Sequence, residues 1–506
     1  MKKIIYRSLI LAAFMFAFVS CKKDPELPVV AQNPNRYVND WIYENMSIYY
    51  FWNDKIPEDP DYVVEPDAFF NSLINKYDAT QNPDGDRFSW IQESYVDLLN
   101  SLSGVSPYDI GFEYVRIQLQ GTEQYYLLVL YPKVGSDAQA KGIKKGQFIT
   151  QINGSDITKD NISELVGGTG TKTLSIIDWV LDDLSNEYKL KPVGDVEVMM
   201  HKDFAEIPVY LDSVYTTPNN QKVGYLVYNF FARDDGDGSL SYDKLLMKRL
   251  ENIKSKGATE FILDLRYNSG GAVSSATALA SSLVKNRTTS TLFNVVQYNE
   301  LVHSELEKEY GTNFNKTYFE ENILDKDDNV VVAIPNLGID RIYILVSNWT
   351  ASASELIING LKPHMDVVLI GQTTVGKNVG SISLYEKNDP KNKWGMQPII
   401  AKYFNSNHQS DFTAGFEPDH KVNEFDPDQL RLVDFGNIED KMLNKALTLI
   451  NGGPLEPTPQ RIPRVSSNTG LQGINPSDVM LDRPQRNIVI DDEKADLIRD
   501  IMKRTR

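Results

Sequence analysis

Three short segments carry residue types that could do chemistry. The first, Asp264-Leu265-Arg266-Tyr267-Asn268-Ser269-Gly270-Gly271, is where a buried strand runs into a double-glycine turn. Glycines at a strand end let the backbone approach a ligand closely and present amide hydrogens to it. The second, Asn348-Trp349-Thr350-Ala351-Ser352-Ala353-Ser354-Glu355-Leu356, turns through small residues into a helical pattern. A serine there sits where unpaired amides and the helix dipole favour an alkoxide or an oxyanion. The same position is also the ordinary place for an N-cap serine. The third, Gly371-Gln372-Thr373-Thr374-Val375-Gly376-Lys377-Asn378-Val379-Gly380, sets a lysine between glycines. Most such lysines are solvated loop charges. No Gly-x-x-x-x-Gly-Lys-Ser/Thr pattern leads into a helix here, which argues against a nucleotide loop.

The elements that must position these segments alternate between strand and helix. Strands are expected at 223–229, 260–266, 341–347 and 366–370, and helices at 242–254, 276–284 and 354–361. Strands separated by helices predict an α/β core with crossover connections. Residues 285–335 read as a polar insertion without a clear period. Upstream, residues 36–98 read as an N-terminal helical region in which 37–56 show aromatic and aliphatic positions at helical spacing, with Tyr37, Trp41, Tyr49, Tyr50 and Trp52 read as core packing. Residues 99–202 read as short strands, 203–452 as the α/β core, and 453–506 as a proline-rich extension closing in a charged, helical stretch.

Within 99–202, Val134-Gly135-Ser136-Asp137-Ala138 is followed by Gly142-Ile143-Lys144-Lys145-Gly146-Gln147-Phe148-Ile149, running to Ile152-Asn153-Gly154. This resembles a PDZ domain of the bacterial protease type. Such a domain takes a peptide as an added strand, with backbone amides holding its terminal carboxylate. Ile110, Gly111 and Phe112 are where that carboxylate loop would lie.

With this block upstream, the three segments together resemble the carboxy-terminal processing protease family, the tail-specific serine peptidases of family S41, over roughly Tyr37 to Ile450. The resemblance implies a multidomain α/β fold: a small N-terminal helical region, a PDZ-like β-rich domain, and a protease core of the crotonase-like βα type. It implies Ser352 as nucleophile, with Ser354 the competitor, and Lys377, 25 residues on, as its base. The oxyanion donors would map to the amides of Ala353 and Gly270, with Gly271 close behind. Relatives place a glutamine four residues after the lysine, or an aspartate 11 residues after the serine. Here these positions are Ser381 and Pro363, so Ser381 or a backbone carbonyl is the expected lysine-orienting group.

The chemistry agrees with that implication. A serine needs a base to become a useful nucleophile at neutral pH. A lysine can serve only if burial lowers its pKa from about 10.4 toward roughly 7–8. His364 is a rival base, read as a structural histidine at a helix end. The five histidines show no metal-binding spacing, and no cofactor is expected. A PDZ-bearing lipoprotein with an inactive protease fold, or an esterase or amidase using the same dyad, are the competing functions. The absence of a Gly-x-Ser-x-Gly elbow counts against the usual esterase.

The formal charge of −17 argues against a nucleic-acid partner, which would need a basic face. Lys2, Lys3 and Arg7 precede an apolar run of 11 residues, Leu9 to Val19, suited to a signal peptide and too short to span a bilayer. Phe18-Val19-Ser20-Cys21 resembles a bacterial lipobox, and Cys21, the only cysteine, would carry the lipid. Residues 1–20 are thus expected to be a lipoprotein signal peptide and 21–35 a tether. The expected location is the envelope of a Gram-negative bacterium, on the periplasmic or the cell-surface face of the outer membrane. The expected partners are a membrane, through the lipid anchor, and proteins with disordered C-termini.

Overall fold

The computed structural model describes residues 35–119, 121–426, 430–455, 464–465, 480–481, 488–490 and 492–505. Cys21, the signal segment and most of the tether lie outside the described residues. Helices α1 (Arg36–Tyr49) and α2 (Pro66–Leu73) are amphipathic. Their buried faces, Trp41, Ile42, Met46, Tyr49, Phe69 and Phe70, join the same apolar core as the later strands and helices. Trp41, Tyr49 and Tyr50 are therefore packing, whereas Tyr37 is half exposed and donates its hydroxyl to Asp389 Oδ2 at 2.5 Å. Helix α3 (Tyr95–Ser103) starts on Ser94, whose hydroxyl accepts from Asp97 N–H, and stops at Gly104 in the left-handed conformation.

The β-rich region holds β1 (Phe112–Gln118), β2 (Gln124–Pro132), β3 (Phe148–Ile152), β4 (Ser155–Thr158), β5 (Thr171–Asp182) and β6 (Glu187–Met199). They pair antiparallel in one twisted sheet with its own apolar core, which includes Ile110, Phe112, Leu127, Ile149 and Leu174.

Beyond it, β7 (Val209–Thr216), β8 (Lys222–Tyr228), β9 (Glu260–Asp264), β11 (Arg341–Val346), β12 (Asp366–Gly371) and β15 (His420–Lys421) form a six-stranded sheet in that order. Only the edge strand β7 runs antiparallel to its neighbour. Every residue of β8 but the first is buried, as is expected of a strand covered on both faces. The crossovers are α4 (Ser241–Ser255), α5 (Val273–Leu283) and α7 (Ala353–Leu361), each within three residues of its sequence expectation.

Residues 285–335 are not a patternless insertion. They contain β10 (Leu292–Tyr298) and α6 (Glu300–Tyr310), and β10 pairs with β14 (Ile399–Asn405) in a second sheet that also holds β13 (Val379–Ser381). Buried Asn294 interrupts the apolar run of β10, which masks the strand in the sequence. The tail after α8 (Lys441–Asn451) is likewise more than loop. Its described pieces add strands to existing edges: β16 (Arg464–Val465) on β6, β17 (Met480–Leu481) on β1, and β18 (Ile488–Val489) on β13. Helix α9 (Asp492–Thr505) closes the chain and buries Ala495, Ile498, Ile501 and Met502 in the main core.

Candidate active site

Strand β11 ends at Val346 and α7 begins at Ala353, so Ser352 stands at the N-cap of a buried, apolar helix. Its φ is +66° and its ψ −117°, a conformation that costs a non-glycine residue of the order of 1–3 kcal/mol and recurs at functional sites. The Ser352 hydroxyl is buried; it faces the Glu355 N–H in a capping-box arrangement without a well-formed hydrogen bond to any described residue. Ser354, the competitor, differs: its hydroxyl donates to the Asn268 carbonyl at 3.0 Å. The geometry distinguishes the two serines.

Glu355 joins the serine to the lysine. Its Oε2 accepts from the backbone N–H of Ser352 and of Lys377, each at 2.8 Å. Two amides donating to one oxygen cannot lie further apart than twice that distance. Its Oε1 accepts from Gly376 N–H at 2.7 Å and from the Thr374 hydroxyl at 2.5 Å. Burial pushes this carboxyl above the ordinary carboxylate range, while Thr374 and the three amides oppose the shift. Glu355 was legible only as part of a motif. The Ser-x-x-Glu spacing is the sequence signature of a capping box, and would have marked it.

Lys377 is 1% exposed, and burial lowers its pKa to about 7. Asp86 and Glu355 oppose that shift, and Arg87 adds to it. The ring of Phe88 lies over the ammonium, with its centroid 4.7 Å from Nζ. Asp86, Arg87 and Phe88 come from the N-terminal region, and the sequence reading assigned them no role. Nothing local signals them, because their partners lie nearly 300 residues away. Arg87 and Phe88 also wall a cavity of about 260 Å³ with Phe51, Trp52, Asn378 and Phe404.

The double-glycine turn packs against the serine. A Cβ on Gly270 would sit 2.5 Å from Ser352 Cβ and 2.9 Å from its Oγ. One on Gly271 would sit 1.9 Å from the Phe231 carbonyl oxygen. The two glycines nevertheless serve differently. Gly270 N–H donates to Asn268 Oδ1 at 2.9 Å, so the amide expected at the oxyanion is spent on that side chain. Asn268 is itself pinned to the Tyr228 carbonyl at 2.8 Å. The amides of Gly271 and Ala353 enter no hydrogen bond among the described residues. Ala353 N lies 3.0 Å from where a Gly270 Cβ would be.

The remaining expected residues lie as follows. Ser381 is buried on β13 and donates its hydroxyl to Gln397 Oε1, whose Nε2 donates to Ser383 Oγ at 2.6 Å. Ile110 and Phe112 are buried in the core of the β-rich region. Gly111 N–H donates to Asp109 Oδ1 at 2.7 Å, so that amide is not offered to a peptide carboxylate. Lys133 beside it is shared by Asp109, Glu113 and Glu206. His364 contacts the Leu292 carbonyl at 3.0 Å and Ser406 Oγ at 3.3 Å and packs edge-on against Phe319; the Ser352 hydroxyl is not among its hydrogen bonds.

A strained, buried serine at a helix N-terminus, a buried lysine of low pKa tied to it through one carboxylate, and two amides unclaimed among the described residues meet at one place. The profile of peptidase family S41 matches residues 222–422, and that of the peptidase S41 N-terminal domain matches residues 37–90. The chain belongs to peptidase family S41. It is 24% identical over 333 residues to the carboxy-terminal processing protease CtpA of Bacillus subtilis. It is 26% identical over 339 residues to the chloroplastic carboxyl-terminal-processing peptidase 1 of Arabidopsis thaliana. Each match covers 65% of this chain and 60% of the relative, so the chain spans about three-fifths of the length of these relatives. The fold is similar to that of a putative S41 protease from Bacteroides fragilis, with a TM-score of 0.67 and 27% identity over 81% of this chain and 97% of that one.

Proposed function

We propose that this chain is a serine endopeptidase in which Ser352 is the nucleophile and Lys377 the general base. The observation that carries the reading is the Glu355 carboxylate, which holds the backbones of both residues at one oxygen beside a lysine whose pKa burial lowers to about 7. At neutral pH such a lysine is substantially the free amine and can accept a proton. Its Nζ takes the Ser352 hydroxyl proton as Oγ attacks the peptide carbonyl carbon. The oxyanion then forms against the Ala353 and Gly271 amides, each worth on the order of 3 kcal/mol. The Lys377 ammonium returns the proton to the departing amine. Water then attacks the acyl-serine ester, and the same base takes its proton.

The substrates in this reading are unstructured C-terminal regions of proteins, presented by a PDZ-like domain at residues 99–202. The pairing of Met480–Leu481 antiparallel to Val115–Arg116 supports this, because it is the strand addition by which such domains take peptides. The crotonase-like reading of the core rests on its parallel sheet and crossover helices. Export, a lipid at Cys21 and an outer-membrane location belong to the same proposal and rest on the signal-like N-terminus. Incubation with an unstructured casein-like protein, followed by mass spectrometry, tests the activity. Wild-type protein should give fragments, and Ser352→Ala and Lys377→Ala should give none while keeping wild-type circular dichroism. Fragments of equal yield from either variant would overturn the dyad.

A further inference from the structure

The segment Asp86-Arg87-Phe88 reaches the lysine from the far end of the chain, inside the region that matches the S41 N-terminal domain. Its own shape is fixed locally. Asp86 Oδ1 accepts from Phe88 N–H and Ser89 N–H at 2.8 and 2.9 Å, an Asx-type turn that aims the Phe88 side chain. Asp86 Oδ2 accepts from the Tyr50 hydroxyl at 2.9 Å, and Ser89 Oγ accepts from Ile399 N–H at 2.8 Å. Pairing of Trp90–Gln92 with Gly395–Gln397 continues the anchorage.

From that base two side chains act on the lysine loop. Arg87 Nη2 donates to the carbonyl oxygens of Val375, Gly376 and Thr413 at 3.1, 3.2 and 2.7 Å. Val375 and Gly376 are the two residues just before Lys377, so the guanidinium holds the loop on the lysine's N-terminal side while Glu355 holds its amide. Phe88 covers the amine itself. Its ring centroid lies 4.7 Å from Lys377 Nζ and 4.8 Å from the Arg87 guanidinium carbon. A ring over an ammonium excludes water while offering only a weak cation–π attraction in exchange. The charged groups acting on Lys377 are Asp86, Glu355 and Arg87, and only the last is a cation.

We propose that Arg87 and Phe88 are positioning residues for the base: Arg87 fixes the loop that carries Lys377, and Phe88 keeps its amine dry, so the N-terminal region is part of the catalytic apparatus. The inference rests on the Ser352–Lys377 reading and adds to it. It gives the N-terminal helices a role in catalysis besides their packing.

The test is the pH dependence of Ser352 phosphonylation by a fluorophosphonate, in which Oγ bonds to phosphorus and fluoride leaves, in the full chain, with wild type, Phe88→Ala, Phe88→Leu, Arg87→Gln and Arg87→Lys. Wild type should show an acid limb near pH 7. Phe88→Ala lets water reach the amine and Arg87→Gln removes a neighbouring cation, so both limbs should move toward higher pH by about one unit. Each rate at pH 7 should then fall about fivefold, with much of the loss recovered at pH 9. Phe88→Leu and Arg87→Lys should stay near the wild-type limb. A merely structural role would lower the plateau and leave the limb in place, and that outcome overturns the proposal. Should one of the two disruptive variants fail to fold, the other decides, because both predict the same direction. Lys377→Ala separates the failures. If it is phosphonylated normally the dyad itself is wrong. If it is dead while the Phe88 and Arg87 limbs stay fixed, only the positioning role is wrong.

Discussion

Lys377 pays for its place in the core. With a folded pKa near 7 against an ordinary 10.5, the unfolded chain holds a proton that the folded chain lacks throughout that window. Stability therefore rises with pH between about 7 and 10.5, and below about 7 the folded protein carries the full cost of a buried ammonium. A depression of this size corresponds to several kcal/mol. Lys377→Met should accordingly abolish turnover and raise the melting temperature, with a larger gain at pH 6 than at pH 10. Calorimetry at the two pH values checks this, and a variant less stable at both would contradict it. Such a trade of stability against activity is the expected signature of a group kept for chemistry.

The double-glycine turn and the helix that starts at Ala353 meet at a distance only glycine permits. Gly270 has φ +108°, and its missing Cβ is the space that Ser352 occupies. Gly270→Ala should lower the rate of Ser352 acylation by about a hundredfold or more and destabilise the fold by about 1–3 kcal/mol. Unchanged acylation would show that the serine does not depend on this turn. The same elements explain what the sequence disclosed. Strands such as Lys222–Tyr228 and Arg341–Val346 are buried on both faces and so appear as continuous apolar runs, with turn glycines marking their ends. Ser352, Lys377 and the glycine pair lie in the turns after such strands, and it was the resemblance of those turns to a known family that singled them out. Strand Leu292–Tyr298 was not legible, because buried Asn294 breaks its apolar run. Arg87 and Phe88 were illegible for another reason. Their meaning lies in contacts with Val375 and Lys377, which no local spacing encodes.

Across the whole molecule, a buried polar cluster ties the β-rich region to the catalytic core. Lys145 Nζ donates to Glu424 Oε1 at 2.6 Å and to the Tyr267 hydroxyl at 3.1 Å, and Tyr267 stands three residues before Gly270. Arg266 completes the cluster through Asp264, Glu424 and Asp440. Removing one partner of such a buried pair leaves an uncompensated charge and typically costs about 3–5 kcal/mol. Lys145→Met should thus lower the melting temperature and reduce peptide cleavage together, although the residue lies outside the catalytic core. A variant with wild-type melting would show that the cluster does not join the two regions. The Ser352–Lys377 dyad is best probed by treating the full chain with a fluorophosphonate, mapping the adduct by peptide mass spectrometry and following its rate with pH. A single adduct on Ser352 is expected, forming faster as pH rises through about 7 and absent in Lys377→Ala. An adduct on another residue, or wild-type labelling of Ser352 in Lys377→Ala, would contradict it.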